Sequence, residues 1–76
     1  MNRIRRKQLQ EIMDKLEEIK SDLESLKDEE EEYRDVMPEN LQGSERYEKA
    51  DEACDNLNSA IDSIEEAISC IDEATA

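Results

Sequence analysis

Residues 47–71 read YEKADEACDNLNSAIDSIEEAISCI, and their spacing decides the fold. Apolar or small side chains fall at Tyr47, Ala50, Cys54, Leu57, Ile61, Ile64, Ile68 and Ile71. The steps alternate three and four without a break. That alternation places all eight on one stripe of an α-helix, the a/d seam of a heptad repeat. Working back toward the N-terminus, a matching seam runs through Leu9, Ile12, Leu16, Ile19, Leu23 and Leu26 and resumes at Tyr33 and Met37, with Glu30 between. Neither stretch holds a Gly or Pro. The remaining positions are rich in Glu, Lys, Gln and Ala, all good helix formers.

The only punctuation lies between the seams. Pro38 cannot continue a helix and turns Met37 away from helical geometry. Gly43 is the single glycine. Ser44 is placed to cap a following helix, with Glu45 at the positive end of its dipole. The spacing therefore predicts one domain over residues 1–76: a helix over about 3–36, a connection over 37–43 and a second helix over about 45–74. So short a connection folds the two back on each other. The expected fold is all-α, an antiparallel, coiled-coil-like two-helix hairpin.

A register in which facing residues sum to 80 pairs every layer. Leu9 then faces Ile71, Ile12 faces Ile68, Leu16 faces Ile64, Ile19 faces Ile61, Leu23 faces Leu57, Leu26 faces Cys54 and Tyr33 faces Tyr47. The e positions agree in charge, with Arg6, Lys20, Lys27 and Arg34 on the first helix and Asp51, Glu65 and Asp72 on the second. The basic cluster Arg3, Arg5, Arg6 and Lys7 is expected beside Asp72, Glu73 and the negative end of the second helix.

Composition argues the other way and has to be answered. The chain has 76 residues, 23 acids against 10 bases and a net charge of −13. Leu, Ile and Val number only 14, and there is no Phe. Few large apolar residues under a high net charge usually mean disorder. The seams overrule that reading, because a disordered tail has no reason to hold heptad spacing. Yet two helices bury only one stripe each, and small scaffolds without a disulfide or a metal usually oligomerise. The second helix carries Ala53, Ala60, Ala67 and Ala74 every seven residues, with Asn56, Ser63 and Cys70 beside them. Small side chains allow close helix approach, so the expectation is a homodimeric four-helix bundle. Its interface is placed on Ala53, Ala60, Ala67, Ala74, Ile64 and Ile71, with the first helix presenting the narrower stripe.

Candidate chemistry is sparse. Without His, the triads and the His-containing zinc and di-iron sites are closed. The run Asp28-Glu29-Glu30-Glu31-Glu32 lacks the glycine turn and staggered oxygens of a calcium loop and reads as a solvated helix face. Glu30, at a seam position, either pairs with Arg46 or Arg34 or marks a loosening near the loop. The two cysteines point about 160° apart on one helix, about 24 Å apart along it, and cannot bridge within the chain. Cys54 reads as core and Cys70 as exposed, able to pair between chains. Free thiols suit a reducing cytosol, the expected location. No apolar run approaches the roughly 20 residues of a membrane span. Residues 1–8 lack the apolar region of a secretory signal. No enzyme activity, metal or cofactor is expected.

The basic N-terminus could touch nucleic acid, but so acidic a chain is repelled by phosphate, and no direct nucleic-acid contact is expected. The reverse has more force. From Ala50 onward there are eight acids and no bases. A rod with rows of carboxylates, here Asp55, Asp62, Glu66 and Glu73, can imitate phosphate spacing and occupy a basic nucleic-acid site on another protein. A small ligand held within the bundle is a third, weaker idea.

The linker Met37-Pro38-Glu39-Asn40-Leu41-Gln42, then Ser44-Glu45 and Tyr47, followed by Ala-Leu-Ala-Ile repeats, resembles small acidic proteins of phage and mobile-element regions in Gram-positive bacteria. The resemblance implies an accessory protein and assigns no functional residue. It favours an inhibitor of a host nucleic-acid enzyme or defence complex. In the bottom-up reading Pro38 starts a turn and Leu41 closes the bundle end near Tyr33 and Tyr47. Two functions follow as expectations: a non-catalytic protein-interaction module acting as a homodimeric bundle, and an acidic decoy for a basic protein partner.

Overall fold

A computed structural model describes residues 1–76. Helix α1 spans Arg3–Asp35 and helix α2 spans Glu45–Thr75, joined through a single 3-10 turn at Glu39–Leu41. The helices pack side by side as an antiparallel hairpin measuring 59 × 15 × 13 Å. No helix is long and apolar enough to cross a membrane.

The ends of each helix follow from local chemistry. The Asn2 side chain accepts the Arg5 N–H at 2.8 Å and starts α1. The Ser44 hydroxyl accepts the Tyr47 N–H at 3.3 Å and starts α2, with Glu45 and Glu48 in the first turn. α1 closes with the Met37 N–H donating to the Arg34 carbonyl at 3.3 Å, immediately before Pro38. The connection is then pinned by the Leu41 N–H on the Pro38 carbonyl at 2.8 Å and the Ser44 N–H on the Leu41 carbonyl at 3.0 Å. Gly43 has no positive φ, so its role here is to interrupt helix rather than to adopt a left-handed turn. Met37, at 7% exposure, plugs the linker end; Leu41 stays 37% exposed and does not close it as expected.

The core is thin, with only Met13, Met37, Ala50, Cys54 and Ile61 buried. On α2 the expected seam faces inward from Tyr47 to Ile71, deepest at Ala50, Cys54 and Ile61 and half-buried at Leu57, Ile64, Ile68 and Ile71. On α1 only one row of the expected seam does. Leu9, Leu16, Leu23 and Glu30 are half-buried, whereas Ile12, Ile19, Leu26 and Tyr33 remain 44%, 48%, 56% and 46% exposed. The expected layers pairing these four with Ile68, Ile61, Cys54 and Tyr47 do not close. The places beside the inward row are taken by Met13, Lys20, Lys27 and Arg34.

The cause is a rotation of α1 toward its basic edge. Lys20 Nζ reaches Glu65 at 3.2 Å and Arg34 reaches Asp51 at 2.9 Å, two of the e-to-e pairs that the charge pattern implies. The Lys20, Lys27 and Arg34 side chains are only 21–23% exposed, because their aliphatic stems lie along the seam while the charged ends reach out. Met13 fills the same edge further back. Turning that edge inward lifts the opposite one, Ile12 through Tyr33, into solvent. The N-terminal basic cluster makes no ion pair with Asp72 or Glu73; all seven ion pairs lie elsewhere.

Candidate functional site: the open face of the hairpin

Helical geometry places the exposed row on one side of the molecule. At about 100° per residue, Ile12, Ile19, Leu26 and Tyr33 sit about 60° from the Leu9–Leu16–Leu23 row, on the side away from Lys20 and Arg34. On α2, Ile64 and Ala67 lie on the side away from Glu65 by the same count. The ion pairs Lys20–Glu65 and Arg34–Asp51 join the two charged edges. The opposite edges, an apolar row on α1 and an uncharged one on α2, therefore flank a common face. It presents Ile12, Ile19, Leu26 and Tyr33 from α1, and exposed Ala60, Ala67 and Ala74 with half-buried Leu57, Ile64 and Ile71 from α2.

Of the six residues expected at an interface, Ala60, Ala67 and Ala74 are exposed on this face, and Ala53, Ile64 and Ile71 are half-buried along its inner border. The α1 row was not among them. Its signal was present in the sequence, since the row shares a single seven-residue spacing, but the two-helix reading assigned it to the intrachain seam.

Charge divides α2 sharply. Asp51, Glu52, Asp55, Asp62, Glu65, Glu66, Asp72 and Glu73 all fall on the e, b and f positions. The remaining arc, about 160° wide from c through g and d to a, carries no charge between Ala50 and Ile71. Asp55, Asp62, Glu66 and Glu73 are exposed and enter no ion pair, so the outer side of α2 is an uncompensated acidic ridge.

Elsewhere the surface offers little chemistry. One open depression of about 430 Å³ at the linker end is lined by Glu30, Tyr33, Glu45, Arg46, Lys49 and Ala50. Its Lys49 is paired with Glu45 at 3.1 Å, and Glu30 pairs with neither Arg34 nor Arg46. No group of His, Cys, Asp or Glu side chains is placed to hold a metal ion, and no buried side-chain polar atom lacks a partner. Cys54 is buried and Cys70 exposed, both free. Burial raises the Cys54 thiol pKa, and the hydrogen bond to Glu65 raises that of Lys20. Arg34 is raised chiefly by its hydrogen bond to Asp35.

No protein-family model, curated protein or solved structure matches the chain.

Proposed function

We propose that the chain is a non-catalytic protein-interaction module, and that its working form is a homodimer in which two hairpins close their open faces into a four-helix bundle. One observation carries this reading. Four large apolar side chains at seven-residue spacing stand 44–56% exposed beside the alanine row of α2, in a chain that buries only five residues. A stripe of that length and regularity is core left without a partner. An accessory role accords with the resemblance of residues 37–47 to small acidic phage-region proteins. The test is mass by light scattering on the chain with Ala60→Glu and Ala67→Glu together. Both alanines are exposed in the hairpin, so the substitutions leave the intrachain core untouched; the mass is expected to halve, with helix content falling as it does when the parent chain is diluted. An unchanged mass would reject this face as the interface.

A second reading rests on the acidic ridge. Asp55, Asp62, Glu66 and Glu73, exposed and unpaired, suit a decoy for a basic nucleic-acid-binding surface. It requires that nucleic-acid-binding proteins be retained from lysate, released by rising salt, and lost when the four acids become amides. Binding indifferent to salt would remove it.

A further inference from the structure

The open face also specifies how a second copy sits on it. Two hairpins packed face to face have two symmetric arrangements. With the two-fold axis along the helices, each α1 lies on the partner's α2 and both linkers share one end. With the axis across the helices, α1 lies on the partner's α1, α2 on the partner's α2, and the linkers are at opposite ends. We infer that the first arrangement is the one this chain forms; the inference rests on the dimer reading above.

Two observations favour it, and a third, the area of the face, supports the dimer on which it rests. The first is height. The pairs Lys20–Glu65 and Arg34–Asp51 place level residues at a sum of about 85, a shift of five from the expected register of 80. A two-fold axis along the helices preserves height. Ile12, Ile19, Leu26 and Tyr33 then come level with positions 73, 66, 59 and 52 of the partner. Each is one residue, about 1.5 Å, from an alanine of the partner: Ala74, Ala67, Ala60 and Ala53. Four large side chains thus meet four small ones with no sliding. The crosswise arrangement stacks large rows on each other at one edge and alanines on alanines at the other, which wedges the faces apart.

The second is charge. The outer flank of the α1 row carries Glu11, Glu18, Asp22, Glu29 and Glu32 against one base, Lys15. The crosswise arrangement brings two such flanks together, and like charges so placed are repulsive. The lengthwise arrangement sets each flank against the uncharged edge of the partner's α2, which holds Asn56, Ser63 and Cys70. The charge-free arc of α2, wider than one neighbouring helix needs, has its explanation here.

The third is area. The row from Ile12 to Tyr33 is about 32 Å long, and two helices side by side are about 20 Å wide. The face therefore offers about 640 Å² as a flat sheet and about 960 Å² when extended over Ile4 to Val36. These values bracket the roughly 800 Å² that each partner contributes to a stable interface.

A distance between linkers tests the arrangement. Gly43 is the place for the probe, because a Cβ there meets nothing within 4 Å and its φ is not positive. The full chain with Gly43→Cys and Cys70→Ser is labelled with a nitroxide; Cys54, 1% exposed, is shielded. Double electron–electron resonance is expected to give a separation of about 15–25 Å, the width of a bundle with 8–10 Å between axes. A separation of about 50–60 Å, the length of the hairpin, in a protein of dimer mass would overturn the arrangement and leave the dimer standing. Absence of dipolar coupling with the mass of a single chain would overturn both.

Discussion

Truncating Ile19 and Leu26 to alanine separates the dimer contact from the hairpin contact. Full burial of such a side chain is worth about 1.5–3 kcal/mol. Ile19 is 48% and Leu26 56% exposed in the hairpin, so about half of that value is left to be gained on association. Each side chain then contributes about 0.8–1.5 kcal/mol to the interface. The dimer holds two copies of each, so the double variant loses about 3–6 kcal/mol of association energy. At 1.4 kcal/mol per decade, the dissociation constant rises by about two to four decades. Sedimentation equilibrium over a concentration series measures it, with circular dichroism at matched concentrations to follow helix content. Ile61→Ala is the contrast, because Ile61 is 6% exposed inside the hairpin. That truncation costs about 2–5 kcal/mol of chain stability directly. A dissociation constant unmoved by Ile19→Ala with Leu26→Ala would refute the assignment of this row to the interface.

Two further outcomes follow from the local chemistry. Ser44→Ala removes the cap that accepts the Tyr47 N–H and is expected to lower stability by about 1 kcal/mol in urea denaturation, with Ser44→Asp recovering most of it. Stability is also expected to fall at alkaline pH. Burial raises Cys54 above its ordinary 9.0, and the Glu65 hydrogen bond raises Lys20 above 10.5. Both groups hold their protons more tightly in the folded chain, so their contribution is full below those ordinary values and is lost as pH rises through the folded ones. The urea midpoint should decline above about pH 9, and Cys54→Ala should remove the earlier part of the decline; an identical profile in that variant would contradict the thiol's share.

The amino-acid pattern made the two helices legible because heptad spacing, Pro38 and the Ser44 cap are local signals. The whole α2 seam was legible for the same reason. What stayed hidden was the azimuth of α1. Periodicity shows that Ile12, Leu16 and Ile19 share a stripe, but not which edge of the stripe meets α2. The bases at positions 20, 27 and 34 settled that. The heptad pattern sets the charges of Lys20 and Arg34 against Glu65 and Asp51, but it does not show that the stems of these bases cover the seam. Met13, an apolar residue on the same edge, was the one local hint. The alanine row was visible by its repeat. The larger side of the open face, Ile12 through Tyr33, was not, because those residues already had a use in the two-helix reading.

The central claim is that this hairpin is half of a bundle. Its most direct test is the mass of the unmodified chain by sedimentation equilibrium at low micromolar concentration, with helix content followed on the same samples. The account predicts twice the chain mass of 8.8 kDa, with helix content falling as dilution separates the chains. A fully helical species of single-chain mass that is insensitive to dilution would contradict it.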